Sequence, residues 1–291
     1  MSWYKTMSAN RQTVFEAIDA NYANLSKTHR RIADFFKKNY DQAVFMTAAK
    51  LADKLSTSES TVVRFATAIG FSGYPQMQQN LRESIKTILT TRQKIATQLE
   101  PETFEGSLHQ SFNRDLNDVR STLDHLDVST IHEIASGIQQ SKHVYLLGMR
   151  SSKILVDYLD FYLSFLHKNV VSFHHGVADH FDQIINLEPG DLVIVVSFPR
   201  YAAITLDLAK IIKAQGNPVY AITDSPEAPI NEYADKSIFA TYSIDSFIDS
   251  HVAPMTLINA LITAVAYDNL AEADKKFQRL EEIWDRHHVY I

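Results

Sequence analysis

No cysteine occurs anywhere in the 291 residues. That absence removes disulfides, thiolate metal sites and cysteine nucleophiles together, and it agrees with a reducing compartment. Glycine and proline are scarce, eight of each, too few for a disordered or low-complexity chain. No apolar run approaches the roughly 18 to 20 residues of a membrane span, and the opening MSWYKTMSANRQ has no apolar secretory core. A cytoplasmic protein without membrane association is expected. At 45% apolar content the chain can build real cores, and its length predicts two domains.

What is present is most informative at residues 48–71. Leu51 and Leu55 lie four apart on one helix face, and Val62, Phe65 and Ile69 repeat at three and four on a second. Ser56, Thr57 and Ser58 between them suit a turn and an N-cap. Two short helices joined by a tight turn are the layout of a DNA-reading helix-turn-helix, and also of an ordinary helical hairpin. The polar positions left outward are Ser58, Ser60, Thr61, Arg64 and Thr67. With Thr57 and Lys50 they are the candidate contacts to bases and phosphates.

Charge favours the DNA reading. Residues 1–94 hold 14 Lys and Arg against 7 Asp and Glu, a net of +7, which leaves −13 in the remainder of a chain whose total is −6. A basic third attached to an acidic body suggests a polyanion-binding module joined to something else. Lys27, Arg30, Arg31, Lys37 and Lys38 precede the motif, and Lys54, Arg82 and Lys86 accompany it. They are candidate phosphate contacts, or a solvated face.

Periodicity predicts helices over 9–22, 27–39, 47–55, 58–69 and 75–90, with Ser26 as a cap and Pro75 in a first turn. A helical head over 1–90, a linker over 91–106 containing Pro101 and Gly106, and a second domain over 107–291 follow. In that domain, helices over 107–125 and 130–140 precede short apolar strands at 143–148, 170–174, 191–198, 218–223 and 236–241. Helices at 151–167, 177–187, 200–215 and 227–234 separate them, and one long helix over 251–286 ends the chain. The expected fold is therefore an all-α helix-turn-helix domain followed by an α/β doubly wound parallel-sheet domain. Ligands in such sheets sit at the carboxyl ends of strands.

The segments STVVRF (60–65) and IGFSGYPQMQQNL (69–81) look like the recognition helix and the next helix of the RpiR family of bacterial transcription regulators. GMRSS (148–152), PGDLVIVVS (189–197) and AITDS (221–225) are similar to the strand-end segments of its sugar isomerase (SIS) domain. The resemblance covers nearly the whole chain. It implies double-stranded operator DNA as a partner, a homodimer or homotetramer, and a small anionic effector, a phosphosugar or sugar acid. It implies neither cofactor nor catalysis.

The chain departs from the family at the ligand loops. SIS domains hold phosphate with Gly-x-Gly-x-Ser after the first strand and Ser-x-Ser-Gly-x-Thr after the third. Gly148, Ser152 and Ser197 match, whereas Arg150 replaces the second Gly, and Pro199, Arg200 and Ala202 replace Ser, Gly and Thr. Arg carries a planar fork of donors that grips carboxylate or phosphate. Arg150 and Arg200 are expected to clamp an anionic group, with Ser151, Ser152, Ser197 and Tyr201 as polar shell. Alternatively one of them pairs with Asp157, Asp160 or Asp224.

His174, His175, Asp179, His180 and Asp182 follow the second strand. Their spacing matches no strong metal signature, so no metal is expected, and His180 is a candidate to line the effector site. Aromatic residues such as Phe161, Tyr162 and Phe165 read as core or interface packing. A phosphosugar isomerase with a helical accessory head is the competing reading, and a sensor acting on a protein partner is a third. An isomerase needs a general base beside the sugar carbon, and no Glu or His is marked as one by position.

Overall fold

The computed structural model describes residues 13–85, 94, 103–173, 177–243, 248–267 and 270–290, with the side chains of 177–180 and 272 outside the description. The chain divides into two compact units, Met1–Ser107 with Ile244–Asp249, and Leu108–Ser243 with Ser250–Ile291.

The first unit is helical among its described residues: α1 (Val14–Asn21), a 3-10 turn (Tyr22–Asn24), α2 (Lys27–Lys38), α3 (Tyr40–Ala43), α4 (Ala48–Lys54), α5 (Glu59–Ala68) and α6 (Tyr74–Ile85). Helix α1 starts at a capping box. The Thr13 hydroxyl accepts from the Glu16 amide at 3.2 Å, and the Glu16 carboxylate accepts from the Thr13 amide at 2.9 Å. Residues 9–12 of the expected helix lie outside the described residues. Ser26 caps α2 as expected, while the single turn α3 is a helix that periodicity cannot reveal at four residues.

Ile32, Phe36, Leu51, Val62, Phe65, Ile69, Met77 and Leu81 form the core of the head, each at most 1% exposed. Phe65 of α5 stacks on Phe36 of α2 with ring centroids 6.0 Å apart. Helix α6 is tied to the entry of α4 by polar bonds. Tyr74 donates its hydroxyl to the Met46 carbonyl at 2.7 Å, and Gln78 donates to the carbonyls of Val44 and Met46.

Helix α7 (Phe104–Asp124) begins in the last residues of the first unit and continues into the second, where α8 (Val128–Gln140) follows it. Strands β1 (Val144–Leu147), β2 (Val170–Ser172), β3 (Leu192–Val196), β4 (Val219–Thr223) and β5 (Lys236–Phe239) alternate with α9 (Ser152–Leu166), α10 (Val177–Ile184) and α11 (Ala203–Ala214). Helices α12 (Val252–Tyr267) and α13 (Leu270–Arg286) follow. The sheet is parallel throughout, in the order β2-β1-β3-β4-β5. One face packs Val144, Leu146, Ile194 and Val196 against α8, α9 and α12; the other packs Leu147, Val193, Val195 and Ala221 against α11 and Ile184 of α10. Burial on both faces is why these strands read as unbroken apolar runs.

Two elements beyond the head differ from the periodicity reading. Helix α7 begins at Phe104, inside the stretch read as linker, because the Thr103 hydroxyl accepts from the Gly106 amide at 3.0 Å as a cap does. The expected helix at 227–234 is only a 3-10 turn, Pro229–Glu232. Pro229 can donate no amide, and the Asn231 side chain donates to the carbonyls of Ser225 and Pro226, stabilising the turn. The expected long terminal helix is described as α12 and α13, with 268–269 between them outside the described residues.

Burial pushes the Tyr74 hydroxyl up to about 12. Below pH 10 both folded and unfolded states hold this proton. As pH rises from 10 towards 12 the unfolded state loses it first, so stability falls in that window. Tyr74→Phe should lose about 1 kcal/mol at pH 7, through the missing bond to Met46, and should remove this part of the alkaline loss. Urea melts at pH 7 and at pH 10.5 check both.

Candidate functional site

Ser58 is the N-cap of α5, accepting from the Thr61 amide at 3.2 Å, and its hydroxyl lies 2.9 Å from that of Ser60 and 2.8 Å from that of Thr61. The turn before it passes through Ser56 at φ 47°, a left-handed conformation that reverses the chain after α4. Lys50, Ser58, Ser60, Arg64 and Thr67 are exposed, and Thr57 and Thr61 are half-buried. All seven expected contacts thus belong to α4, the turn and α5. Arg64 Nε donates to the Ser60 carbonyl at 3.2 Å, and the Thr67 hydroxyl to the Arg64 carbonyl at 2.9 Å. Both bonds are exposed and local, so the groups can exchange them for DNA at small cost.

The basic residues of α2 divide into two sets. Arg31 donates to the Leu55 carbonyl at 2.7 Å and braces the turn. Arg30 donates to the Ala23 carbonyl at 2.7 Å, and Lys37 pairs with Asp19; both also lie over the Tyr22 ring. These three hold the head together, whereas Lys27 and Lys38 are exposed at the two ends of α2. A basic residue whose target is a distant carbonyl carries no periodic signal, so composition read all five alike.

The second candidate site is created by the strand order. Beta2 lies on one side of β1 and β3 on the other, so the connections leave β1 and β3 in opposite directions and open a crevice at their carboxyl ends. The two loops singled out from sequence, Gly148–Ser152 and Ser197–Tyr201, are the segments that follow β1 and β3. Gly148 has no room for a side chain: a Cβ there would sit 2.6 Å from Val156 Cγ2 and 3.2 Å from the carbonyl oxygens of Ser152 and Val196. Its absence lets the loop close tightly onto α9.

Arg150 stands in the left-handed region at φ 56°. Glycine adopts that conformation without penalty, and an L side chain there costs about 1 kcal/mol or more. Arg150 and Arg200 are both exposed, and neither guanidinium has a hydrogen-bond or ion-pair partner among the described residues. The carboxylates weighed as their partners are otherwise engaged in part: Asp157 pairs with Lys153, and Asp224 accepts the Tyr201 hydroxyl at 2.7 Å. Tyr201 is therefore held by Asp224, a bond that the sequence reading of it as free polar shell did not anticipate.

Ser152 and Ser197 are 5% and 3% exposed, yet neither hydroxyl has a protein partner among the described residues. Ser151 is exposed beside them. Ser172, at the end of β2, joins this class: it is 2% exposed with an unpartnered Oγ. It was not singled out from sequence, although a hydroxyl closing an apolar strand next to β1 was the available signal. The side chains of His174, His175, Asp179 and His180 lie outside the described residues, and the expected role of His180 goes with them. Among the described residues no group of three His, Asp or Glu is arranged to hold a metal ion.

A helix-turn-helix head joined to a doubly wound domain with an anion-suited crevice defines a class, the ligand-responsive transcription regulators. Comparison with known proteins agrees. Residues 12–87 match the helix-turn-helix domain of the rpiR family, and residues 137–264 match the SIS domain. The chain belongs to the RpiR family of DNA-binding transcriptional regulators.

Among its relatives, an uncharacterized HTH-type transcriptional regulator of Haemophilus influenzae is 26% identical over 226 residues, 76% of this chain and 77% of that one. The HTH-type transcriptional regulator HexR of Escherichia coli is 24% identical over 275 residues, 92% of this chain and 93% of that one. The sugar isomerase domain of an RpiR transcription factor from Sphaerobacter thermophilus matches with a TM-score of 0.57 at 25% identity, over 60% of this chain and 97% of that one. NanR of Vibrio vulnificus, solved with ManNAc-6P, shares the fold with a TM-score of 0.58 at 18% identity, over 94% of this chain and 98% of that one.

Two substitutions separate strain from binding at the first loop. Arg150→Gly and Arg150→Ala both remove the guanidinium, but only glycine relieves the backbone. The Gly variant should be more stable than the Ala variant by about 1 kcal/mol. Gly148→Ala should cost roughly 1–3 kcal/mol by overpacking against Val156. Thermal melts of the three variants measure these differences.

Proposed function

We propose that the crevice at the ends of β1 and β3 receives a phosphosugar or a related anionic carbohydrate derivative, and that its occupancy governs operator binding by the head. The observation that carries this reading is the pair of guanidiniums, Arg150 and Arg200, that follow the two strands of the switch point and, like the hydroxyls of Ser152 and Ser197, have no partner among the described residues. Arginine forks and hydroxyl donors are the groups that hold phosphate and carboxylate oxygens. Gly148 lets the loop backbone approach closely, and Ser151 adds a donor at its rim. That NanR was solved with ManNAc-6P supports a sugar phosphate as the ligand class.

In this reading the domain senses and does not catalyse, and the protein works in the cytoplasm as a homo-oligomer. Lys50, Thr57, Ser58, Ser60, Thr61, Arg64 and Thr67 meet the DNA, hydroxyls and Lys50 holding phosphates and Arg64 reaching either a base edge or a phosphate. A ligand shifts the heads only through a difference in affinity between two arrangements of the oligomer. Heads set for half-sites about 34 Å apart tolerate little rotation.

Titration calorimetry with a panel of sugar phosphates and sugar acids tests the crevice. Arg150→Ala and Arg200→Ala should each weaken the best ligand by roughly 1.5–3 kcal/mol, the worth of a hydrogen bond to a charged group. Unchanged affinity in both would overturn the clamp. For the head, operator affinity should fall with salt by a log–log slope of about −0.9 per neutralised phosphate, and Arg64→Ala should cost about 1–3 kcal/mol if it reads a base. An interaction insensitive to salt would count against DNA as the partner.

A further inference from the structure

Residues 244–249 lie between β5 and α12, yet they belong to the first unit, while the residues that flank them, Ser243 and Ser250, belong to the second. The chain leaves the second unit and returns to it over this short strap. Of the strap, Ile248 and Asp249 are among the described residues. Asp249 accepts from Lys94 Nζ at 2.7 Å, and the Lys94 side chain is only 4% exposed. An ammonium so deeply buried calls for a charged partner, and removing one member of such a pair is strongly destabilising. The strap is firmly held at this point.

The two ends of the strap belong to an aromatic cluster that reaches the crevice. Phe198, next to Ser197 and two residues before Arg200, is 3% exposed and stacks on Tyr242 with ring centroids 5.2 Å apart. Tyr242 stands just before the strap and His251 just after it, their rings 6.1 Å apart. The entry is pinned from α7 as well: the Asp118 carboxylate accepts from the Ser243 amide at 3.1 Å and from the Ser243 hydroxyl at 2.6 Å, and the Thr122 hydroxyl accepts from the Thr241 amide at 2.9 Å. In a close-packed interior a ring does not shift without its neighbours.

We propose that the strap transmits the state of the crevice to the head. A ligand that moves the loop after β3 moves Phe198, the Phe198–Tyr242–His251 cluster moves the two ends of the strap, and the Lys94–Asp249 pair passes the displacement into the first unit. The inference rests on the crevice being the ligand site. Energetic coupling is reciprocal, so a disturbance at either end is felt at the other. The strap can therefore be tested without ligand or operator.

Hydrogen exchange of the full-length protein, read by mass spectrometry, follows both directions. Asp249→Asn and Lys94→Met should each raise exchange at residues 198–203 by roughly 2- to 30-fold, the span of coupling such networks carry. Phe198→Leu should raise exchange at residues 248–252 by a similar factor. Lys37→Met, which removes an ion pair of the head outside this path, should leave 198–203 unchanged. Asp249→Asn keeps an acceptor for Lys94, so the test survives if Lys94→Met fails to fold. Disturbances that stay local in either direction would overturn the strap, and so would an equal effect of Lys37→Met.

A second arm uses the tightest ligand from the calorimetric panel of sugar phosphates and sugar acids. Asp249→Asn should keep the native ligand affinity but shrink the ligand's effect on operator affinity by roughly the same 2- to 30-fold factor. A full ligand response in this variant would also overturn the strap. A panel in which nothing binds would sink the crevice reading alone, because the exchange experiment decides the strap without a ligand.

Discussion

The sheet of the second unit is wound outward in two directions from β1, and much of what this protein can do depends on that reversal. Had the strands been added in one direction only, the crossovers would have covered the carboxyl ends uniformly. Because β2 and β3 flank β1, the loops after β1 and β3 diverge and leave a crevice between them. The close packing of Gly148 on Val156 and on the Ser152 and Val196 carbonyls fixes one wall. Arg150 is then carried into a left-handed turn that suits glycine better, and its guanidinium has no partner among the described residues. A non-glycine residue held in this conformation is strained, and such strain is characteristic of loops that line binding sites.

The head follows a different logic, in which charge serves both structure and recognition. Arg31 and Lys37 are consumed by a carbonyl and a carboxylate of the head itself, Arg31 at the turn of the motif. The short hydroxyl residues around Ser58 remain bound only to one another or to exposed local groups. Core contacts through Phe36 and Phe65 hold α5 against α2, so the polar face of α5 is presented on a rigid support. A surface that is adaptable in its side chains and fixed in its backbone suits the reading of a groove.

Most of the architecture was legible from residue patterns. Five apolar, β-branched runs became five parallel strands because buried strands have no reason to alternate in polarity. The helix-turn-helix was legible because its apolar spacing and polar turn are both local. Short or capped features were less so. The one-turn α3 is too brief for periodicity, the start of α7 depends on a Thr103 cap within a stretch with linker composition, and the 227–234 segment contains a proline that outweighed its weak helical pattern. At the candidate crevice, Gly148, Arg150, Ser152, Ser197 and Arg200 could be singled out from family likeness. The hold of Asp224 on Tyr201 and the unpartnered hydroxyl of Ser172 could not, since each depends on segments far apart in the chain.

The sequence by itself determined the two-part make-up, the basic and acidic division, the helix-turn-helix and the parallel sheet, all of which follow from local periodicity and composition. Only the tertiary structure decided which cations of the head brace the fold, and that α7 buries the polar Asp118 and Thr122 while Phe104, Phe112 and Leu123 are exposed. The reason is physical. Periodicity reports that a helix has an apolar face, but the direction of that face is set by what the rest of the chain places against it, here the polar partners Thr241 and Ser243.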